Sequence, residues 1–349
     1  MSTGLLIFLA IVLFFAIMFL VAKATELSAS GEDKTDALER KSNTQAKLLM
    51  AFLIIGLSAT AYSFYALYPR MLPESASIHG DWVDSMFNIT SLIAILVFVG
   101  VHIVLISFVY KYRYRRDRQA YFFTHSNKLE IIWTVGPAIV LVFLSFKGLS
   151  AWDKIFDFKS LPQEPGAIHE IEVTGKQFGW IMRYPGTDGK FGERIIDKEH
   201  ISTINELGIN WEDEHSRDDF MADELVLVQG KPTYMILGAQ DVIHSFFLPH
   251  FRVKMDCVPG MPTRFMFTPK YTTEQYKEEV LKKNKYWQQI NPETGNPRWQ
   301  DFTFELACAE LCGKSHFAMR REVKVVTQEE YDAWVKDQKS YYETVIATN

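Results

Sequence analysis
The stretch CAELCGKSHFAM, residues 308–319, places two thiols, an imidazole and a thioether in one short loop: Cys308, Cys312, His316 and Met319. A disulfide between the two cysteines suits an oxidising compartment, but it gives His316 and Met319 no task. Zinc favours four Cys or His ligands and rarely takes a thioether. Thiolate and thioether combined with imidazole point to copper. A mononuclear blue-copper site needs one Cys, two His and a weak Met. With a second Cys in the same loop, two thiolates can bridge two copper ions. A further histidine must then come from elsewhere. The segment DVIHSFFLPHFRVKMDCVPG, residues 241–260, offers His244 and His250. His244 follows an apolar strand-like segment, so a rigid sheet would position it, and it is the preferred ligand.

The elements that would hold this loop lie in the second half of the chain. After Trp152 come short alternating segments: IHEIEVT, QFGWIMRY, ELVLVQ, TYMILG, DVIHSFFL, RFMFT, FTFELAC and EVKVV. Their length, with Gly and Pro between them, predicts an antiparallel sandwich or Greek-key barrel. LPQEPG, residues 161–166, reads as a linker. Two polar stretches, 185–220 and about 270–300, read as insertions, the second with a helical TTEQYKEEVLKKN. In TQEEYDAWVKDQKSYYETV, Thr327 and Glu330 form a capping box, and Tyr331, Trp334 and Val335 share one face of a predicted C-terminal helix.

The first half is different. Four runs, starting at Leu5, Leu48, Ile89 and Leu129, approach the roughly 20 apolar residues that cross a bilayer as a helix. The basic cluster KYRYRRDR from Lys111 belongs in the cytoplasm. The third run then leads in and the fourth leads out, which puts the copper loop outside. Segment 23–46, with several basic residues, fits the inside, and the N-terminus the outside. A cleaved signal peptide is the competing reading of the first run, with AKA at Ala22–Ala24 as its cleavage site. The absence of Lys and Arg from MSTG and the length of the run favour four retained spans. A net charge of −5 over 349 residues excludes little.

With the loop C-x-E-x-C-x-x-x-H-x-x-M at Cys308, Glu310, Cys312, His316 and Met319, DVIHSF at Asp241–Phe246, VKMDCVPG at Val253–Gly260 and LEIIWTVGPAIVL in the last span, the sequence resembles subunit II of the haem–copper cytochrome c oxidases, bacterial type with extra N-terminal helices. The likeness covers roughly residues 89–184 and 223–335. It implies a membrane-anchored α + β protein: transmembrane helices followed by a cupredoxin-like Greek-key β-barrel. Its regions would be an extra N-terminal segment with two spans (1–70), a family-type transmembrane hairpin (71–152) and an external copper domain (153–349). The resemblance also implies a binuclear CuA centre. In it Cys308 and Cys312 bridge the coppers, His244 and His316 each bind one, and Met319 and the Glu310 carbonyl are weak axial ligands. The Glu310 carboxylate would reach a magnesium or manganese shared with the catalytic subunit. Glu130, at the cytoplasmic end of the last span, would stand at the mouth of a proton channel.

The implied function is electron entry in a cytochrome c oxidase of the bacterial inner membrane. A c-type cytochrome donates, subunit I reduces oxygen, and protons are translocated. The sequence departs from the family at GKQFGW, where Phe178 replaces the tryptophan that receives the electron and Trp180 is kept. Arg183 stands where an acid helps to dock a basic cytochrome. These changes predict a donor held in a respiratory supercomplex, with Trp180 as the aromatic between donor and copper. Cys257, where alanine is common, reads as a small buried thiol. No C-x-x-C-H is present, so the chain brings no c-type haem of its own. The complete ligand set argues against a copper-free quinol oxidase subunit. The length leaves no room for the propeller of a nitrous oxide reductase. A copper-delivery protein would not need LEIIWT or Glu130.

Overall fold
A computed structural model describes residues 3–28, 34–160, 164, 166–197 and 199–347. The linker at 161–166 thus lies largely outside the described residues. The chain forms two compact units, one of residues 1–68 and 88–141, the other of residues 69–87 and 142–349.

Four helices dominate the first half: α1 (Thr3–Ser28), α2 (Lys34–Leu67), α3 (Ile78–Lys111) and α4 (Asn127–Ile155). Among the described residues three helical stretches are long and apolar enough to cross a membrane: Thr35–Arg70, Ile78–Lys111 and Asn127–Ile155. The first apolar run lies in α1, of which Ala10–Ala24 is the described apolar part. Leu92, Leu96, Val101 and Leu105 on α3 and Ile131, Ile139 and Leu141 on α4 are exposed. Such apolar surfaces suit lipid, where a helix satisfies its own backbone. In this unit Arg116, from the basic cluster, pairs with Asp36 at 2.5 Å.

The second unit is a sandwich of two five-stranded sheets. Its strands are β1 (His169–Lys176), β2 (Gly179–Tyr184), β3 (Phe220–Ala222), β4 (Leu225–Val228), β5 (Thr233–Ala239), β6 (His244–Leu248), β7 (Val253–Cys257), β8 (Thr263–Phe267), β9 (Phe304–Cys308) and β10 (Arg320–Val326). The sheet orders are β3-β2-β1-β5-β8 and β4-β10-β9-β6-β7. All eight predicted segments are strands. The sandwich is not purely antiparallel, however: β1 pairs with β5, and β10 with β4, in parallel. The chain leaves the first sheet after β3, runs β4 in the second, and re-enters beside β1 in the same direction. Ile171, Val173, Met182, Met235 and Leu237 meet Leu225, Leu227, Phe246, Phe304, Leu306 and Val323 in the core, all buried as alternation requires.

The insertion 185–220 covers the outer face of β1 and β2. Arg183 points into this layer and is 1% exposed. It donates to Glu172 at 3.0 Å and to the Gly192 carbonyl at 2.6 Å, and it pairs with Asp219. Arg194, from the insertion, pairs with the other oxygen of Glu172. A Cβ on Gly192 would lie 2.0 Å from Ser216 Oγ, so only glycine fits there. The expectation of Arg183 at a docking surface is therefore corrected: the guanidinium is buried in a four-charge network.

Residues 69–87 belong to the same unit. Arg252 grips Asp84 with two bonds, 2.7 and 3.0 Å, and Ser77 Oγ donates to Phe251 O at 2.6 Å. In the second insertion, α5 (Thr273–Glu279) carries its own capping box at Thr272 and Gln275. The C-terminal capping box also forms, opening α6 (Gln328–Lys336). The predicted single helix is broken after it. Ser340 Oγ accepts from Glu343 N at 3.1 Å and starts a separate α7 (Tyr341–Ala347), since a serine side chain at a helix start competes well for a free N–H.

Candidate metal centre
One end of the sandwich collects the soft donors. Cys308 ends β9, and the chain crosses residues 309–319, including a tight turn at His316–Ala318, before re-entering the sheet as β10. His244 opens β6, whose Phe246 pairs with Cys308. A Cβ on Gly175 of β1 would lie 3.0 Å from the His244 ring, so the glycine leaves room for the imidazole.

The donors form a chain of contacts. His244 Nδ1 is 3.9 Å from Cys308 Sγ, which is 4.0 Å from Cys312 Sγ. Cys312 Sγ is 3.6 Å from His316 Nδ1 and 3.3 Å from Met319 Sδ. Cys308 Sγ also meets the Glu310 carbonyl oxygen at 3.2 Å, while the Glu310 residue is exposed. The donor atoms of His244, Cys308 and Cys312 all lie within 4.8 Å of one another. A disulfide would need sulfurs about 2.05 Å apart, and all three cysteines are free. Sulfurs 4.0 Å apart can instead share an ion about 2.3 Å from each. Burial, and then Cys308 beside it, pushes the Cys312 thiol up to about 11. A bound cation would favour the Cys312 thiolate here. The donor set therefore fits copper, the ion favoured by thiolate, thioether and imidazole together.

The second histidine falls elsewhere. His250 packs on Phe302 (4.9 Å between rings) and Phe304 (5.8 Å), and burial lowers its pKa to about 4. Cys257, opposite His244 on β7, is buried, and its thiol is pushed up to about 12. Trp180 is only 5% exposed, with its ring 6.1 Å from His244 and 6.2 Å from Phe246. Its Nε1 donates to the Met319 carbonyl at 3.3 Å. The partly exposed aromatic is Phe178, at 40%. Glu130 lies in the first compact unit, in the first turn of α4, where its Oε1 accepts from Ser126 N.

Two residues of the site escaped the sequence reading. Asp241 Oδ1 lies 2.8 Å from His244 Nε2, leaving Nδ1 turned to the sulfurs. This is the carboxylate–histidine arrangement that orients a metal ligand. Its Oδ2 accepts from Gln177 N at 2.7 Å, and Gln177 Nε2 donates to the Cys312 carbonyl at 2.6 Å. Asp241 stands three residues before His244 within DVIHSF, so spacing held a signal. Gln177 held none.

Comparison with known proteins gives a consistent picture. The profile of the cytochrome C oxidase subunit II transmembrane domain matches residues 63–150, and that of the periplasmic domain residues 169–277. The alternative cytochrome c oxidase subunit 2 of Bradyrhizobium diazoefficiens is 30% identical over 296 residues, covering 84% of this chain and 93% of that protein. Cytochrome c oxidase subunit 2 of Cereibacter sphaeroides is 28% identical over 276 residues, 77% of this chain and 78% of that protein. The crystal structure of the periplasmic domain of subunit II of a Bradyrhizobium japonicum cytochrome oxidase is 26% identical and covers 50% of this chain and 94% of its own, with a TM-score of 0.30.

Proposed function
Because the chain belongs to the cytochrome c oxidase subunit II family, we propose that it is the electron-entry subunit of a haem–copper oxidase. It holds a binuclear copper centre through His244, Cys308, Cys312, His316, Met319 and the Glu310 carbonyl. The observation that carries this reading is the unbroken chain of donors, each 3.2–4.0 Å from the next. Copper held by these residues would supply a one-electron carrier, with the Cys308 and Cys312 thiolates as its soft donors. The protein's own part is to hold the donors and keep water out. Met319 and His244 are fully buried, and Cys312 is 4% exposed.

Electrons arrive from a c-type cytochrome and pass to the catalytic subunit for oxygen reduction coupled to proton translocation. Glu130 would serve the proton path, and Glu310 a magnesium or manganese shared with that subunit. The regions 1–70, 71–152 and 153–349 serve as extra spans, family hairpin and copper domain. The last lies on the periplasmic side of a bacterial inner membrane. The burial of Arg183 removes the charge argument for a donor tethered in a supercomplex. What supports that donor now is Phe178 alone, exposed where the family resemblance leads one to expect tryptophan.

The test is copper loading of the full-length chain in detergent. We expect a pair of coppers per chain and the many-line EPR hyperfine pattern of an electron shared between them. His244→Ala should abolish the pattern, and His250→Ala should leave it. One copper per chain, or the spectrum of a mononuclear blue site, would overturn the reading.

A further inference from the structure
The donors sit on the start of β6, the end of β9 and the loop that follows it. A fourth segment, the hairpin at 176–180 between β1 and β2, supplies no donor, yet it reaches both the start of β6 and the loop. The Gln177 N–H donates to Asp241, whose other oxygen faces His244 Nε2. The Gln177 side chain donates to the Cys312 carbonyl at 2.6 Å, and the Trp180 indole N–H to the Met319 carbonyl at 3.3 Å. The Phe178 ring lies so close to Gly313 that a Cβ there would stand 3.0 Å from it, and Gly313 has a φ of 137° that disfavours any other residue.

The loop has little else to hold it. Its other backbone bonds, His316 N to Gly313 O, Ala318 N to Ser315 O and Met319 N to His316 O, are local turns. Among the described residues its hydrogen bonds to the rest of the domain are Ala309 N to Ser245 O and the two from the hairpin. Without the hairpin, none of the described hydrogen bonds would tie residues 310–319 to the rest of the domain, and only the packing of Cys312 and Met319 in the core would hold them.

We propose that the hairpin is the jig of the metal centre, with Gln177 and Trp180 as positioning residues that set His244, Cys312 and Met319 in place before metal arrives. The proposal rests on the copper reading above. A loop fixed in advance spends less of the metal's binding energy on its own ordering. It also keeps the donors still as the charge of the site changes. On this account Gln177 and Asp241 are occupied in holding the site and are not free hydrogen-bonding groups for a partner.

The experiment uses Gln177→Met, which keeps the length but removes both side-chain N–H donors, and Trp180→Phe, which keeps a ring but removes the indole N–H. Both are made in the full-length chain. Copper loss to a chelator, the EPR hyperfine pattern, the reduction potential and the rate of reduction by ascorbate are read. We expect roughly 10- to 100-fold faster copper loss, the range found for removal of a ligand's supporting partner, together with an altered hyperfine pattern and a shifted potential in both variants. Gln177 is exposed, so its substitution leaves the fold intact and carries the decision if Trp180→Phe destabilises the domain. Wild-type spectra, potential and copper retention in Gln177→Met would overturn the proposal, even if reduction by a protein donor were slowed, since that outcome assigns Gln177 to docking. Failure of the unmodified chain to hold a copper pair would instead overturn the copper reading, and this inference with it.

Discussion
The ligand end of the β domain and the outer face of its first sheet are both built on β1, and they treat buried polar groups in opposite ways. On the outer face Arg183 and Arg194 meet Glu172 and Asp219, two cations against two anions, each within reach of the next. The charges close on themselves. At the ligand end the sulfurs of Cys308 and Cys312 lie side by side, and their neighbours are an imidazole, a thioether and a carbonyl oxygen. None of these is an anchoring cation. A network that neutralises itself is structural. A cluster of donors that needs positive charge from outside is a place for a metal.

The sharpest way to break this comparison is to open the closed network. Removing one partner of a buried ion pair leaves the other charge stranded, at a cost of about 3–5 kcal/mol. Arg183→Ala should therefore destabilise the β domain by that amount in denaturant unfolding, with copper stoichiometry and hyperfine pattern unchanged in the folded fraction. Burial already pushes Asp219 to about 6 against the pull of Arg183. Without the guanidinium it can take up a proton, which places the loss near the lower end. Arg183→Glu should behave worse, as a third acid in the layer, and should not quicken electron entry. A loss of copper signal without loss of stability would mean that the two regions are not separate.

Much of this was legible beforehand, for identifiable reasons. Eight of the ten strands announced themselves by alternation, though β3 and β7 did not; the C-terminal helix start showed in Thr327 and Glu330, and the donor loop in residue types that have few other uses together. Arg183 misled because its setting is made by Gly192, Arg194 and Asp219, far along the chain in an insertion whose fold its polar composition does not reveal. Phe178 and Trp180 stand two apart, which on a continuous strand would put both on one face; Phe178 is exposed because it lies in the turn before β2 begins at Gly179, and local pattern does not mark where the turn ends. Gln177 acts through a hydrogen bond to a residue 135 positions away, and only the folded hairpin brings them together. The parallel pairings follow from topology, which local pattern does not carry.

The buried histidines offer a second, smaller break. His244 is buried but has Asp241 at its Nε2. His169 and His250 have ring nitrogens without partners, and burial lowers their pKa values to about 3 and about 4. The unfolded chain, near 6.5, binds protons that the folded chain refuses. Each therefore contributes stability that is complete above about pH 6.5 and is lost as the pH falls, towards 3 for His169 and towards 4 for His250. At pH 5 the loss should be about 2 kcal/mol per histidine. Urea unfolding of the copper-free chain at pH 7 and pH 5 measures it, and His250→Phe should remove its share of the slope. A slope that His250→Phe leaves unchanged would show that this ring finds a partner on folding, whatever Asp219 contributes in the opposite direction.

The smallest effect is expected where the two regions meet. Lys176, the last residue of β1 and the neighbour of Gln177, pairs with Glu206 of the insertion. Both side chains are more than a third exposed, so water and salt screen the pair, and it should be worth no more than about 0.2–1 kcal/mol. The Glu206 backbone carbonyl separately accepts from Gln240 Nε2 at 2.9 Å, and that bond survives a change of side chain. Glu206→Gln should thus cost less than about 1 kcal/mol, less still in high salt, and should leave copper retention and the EPR pattern as they are. The reason is that the hairpin's hold on the donors runs through Gln177 and Trp180, and the Lys176 ammonium has no part in it. If Glu206→Gln instead quickened copper loss to the degree expected of Gln177→Met, the insertion would be part of the ligand end's support, and the boundary drawn between the closed network and the open donor cluster would have to move.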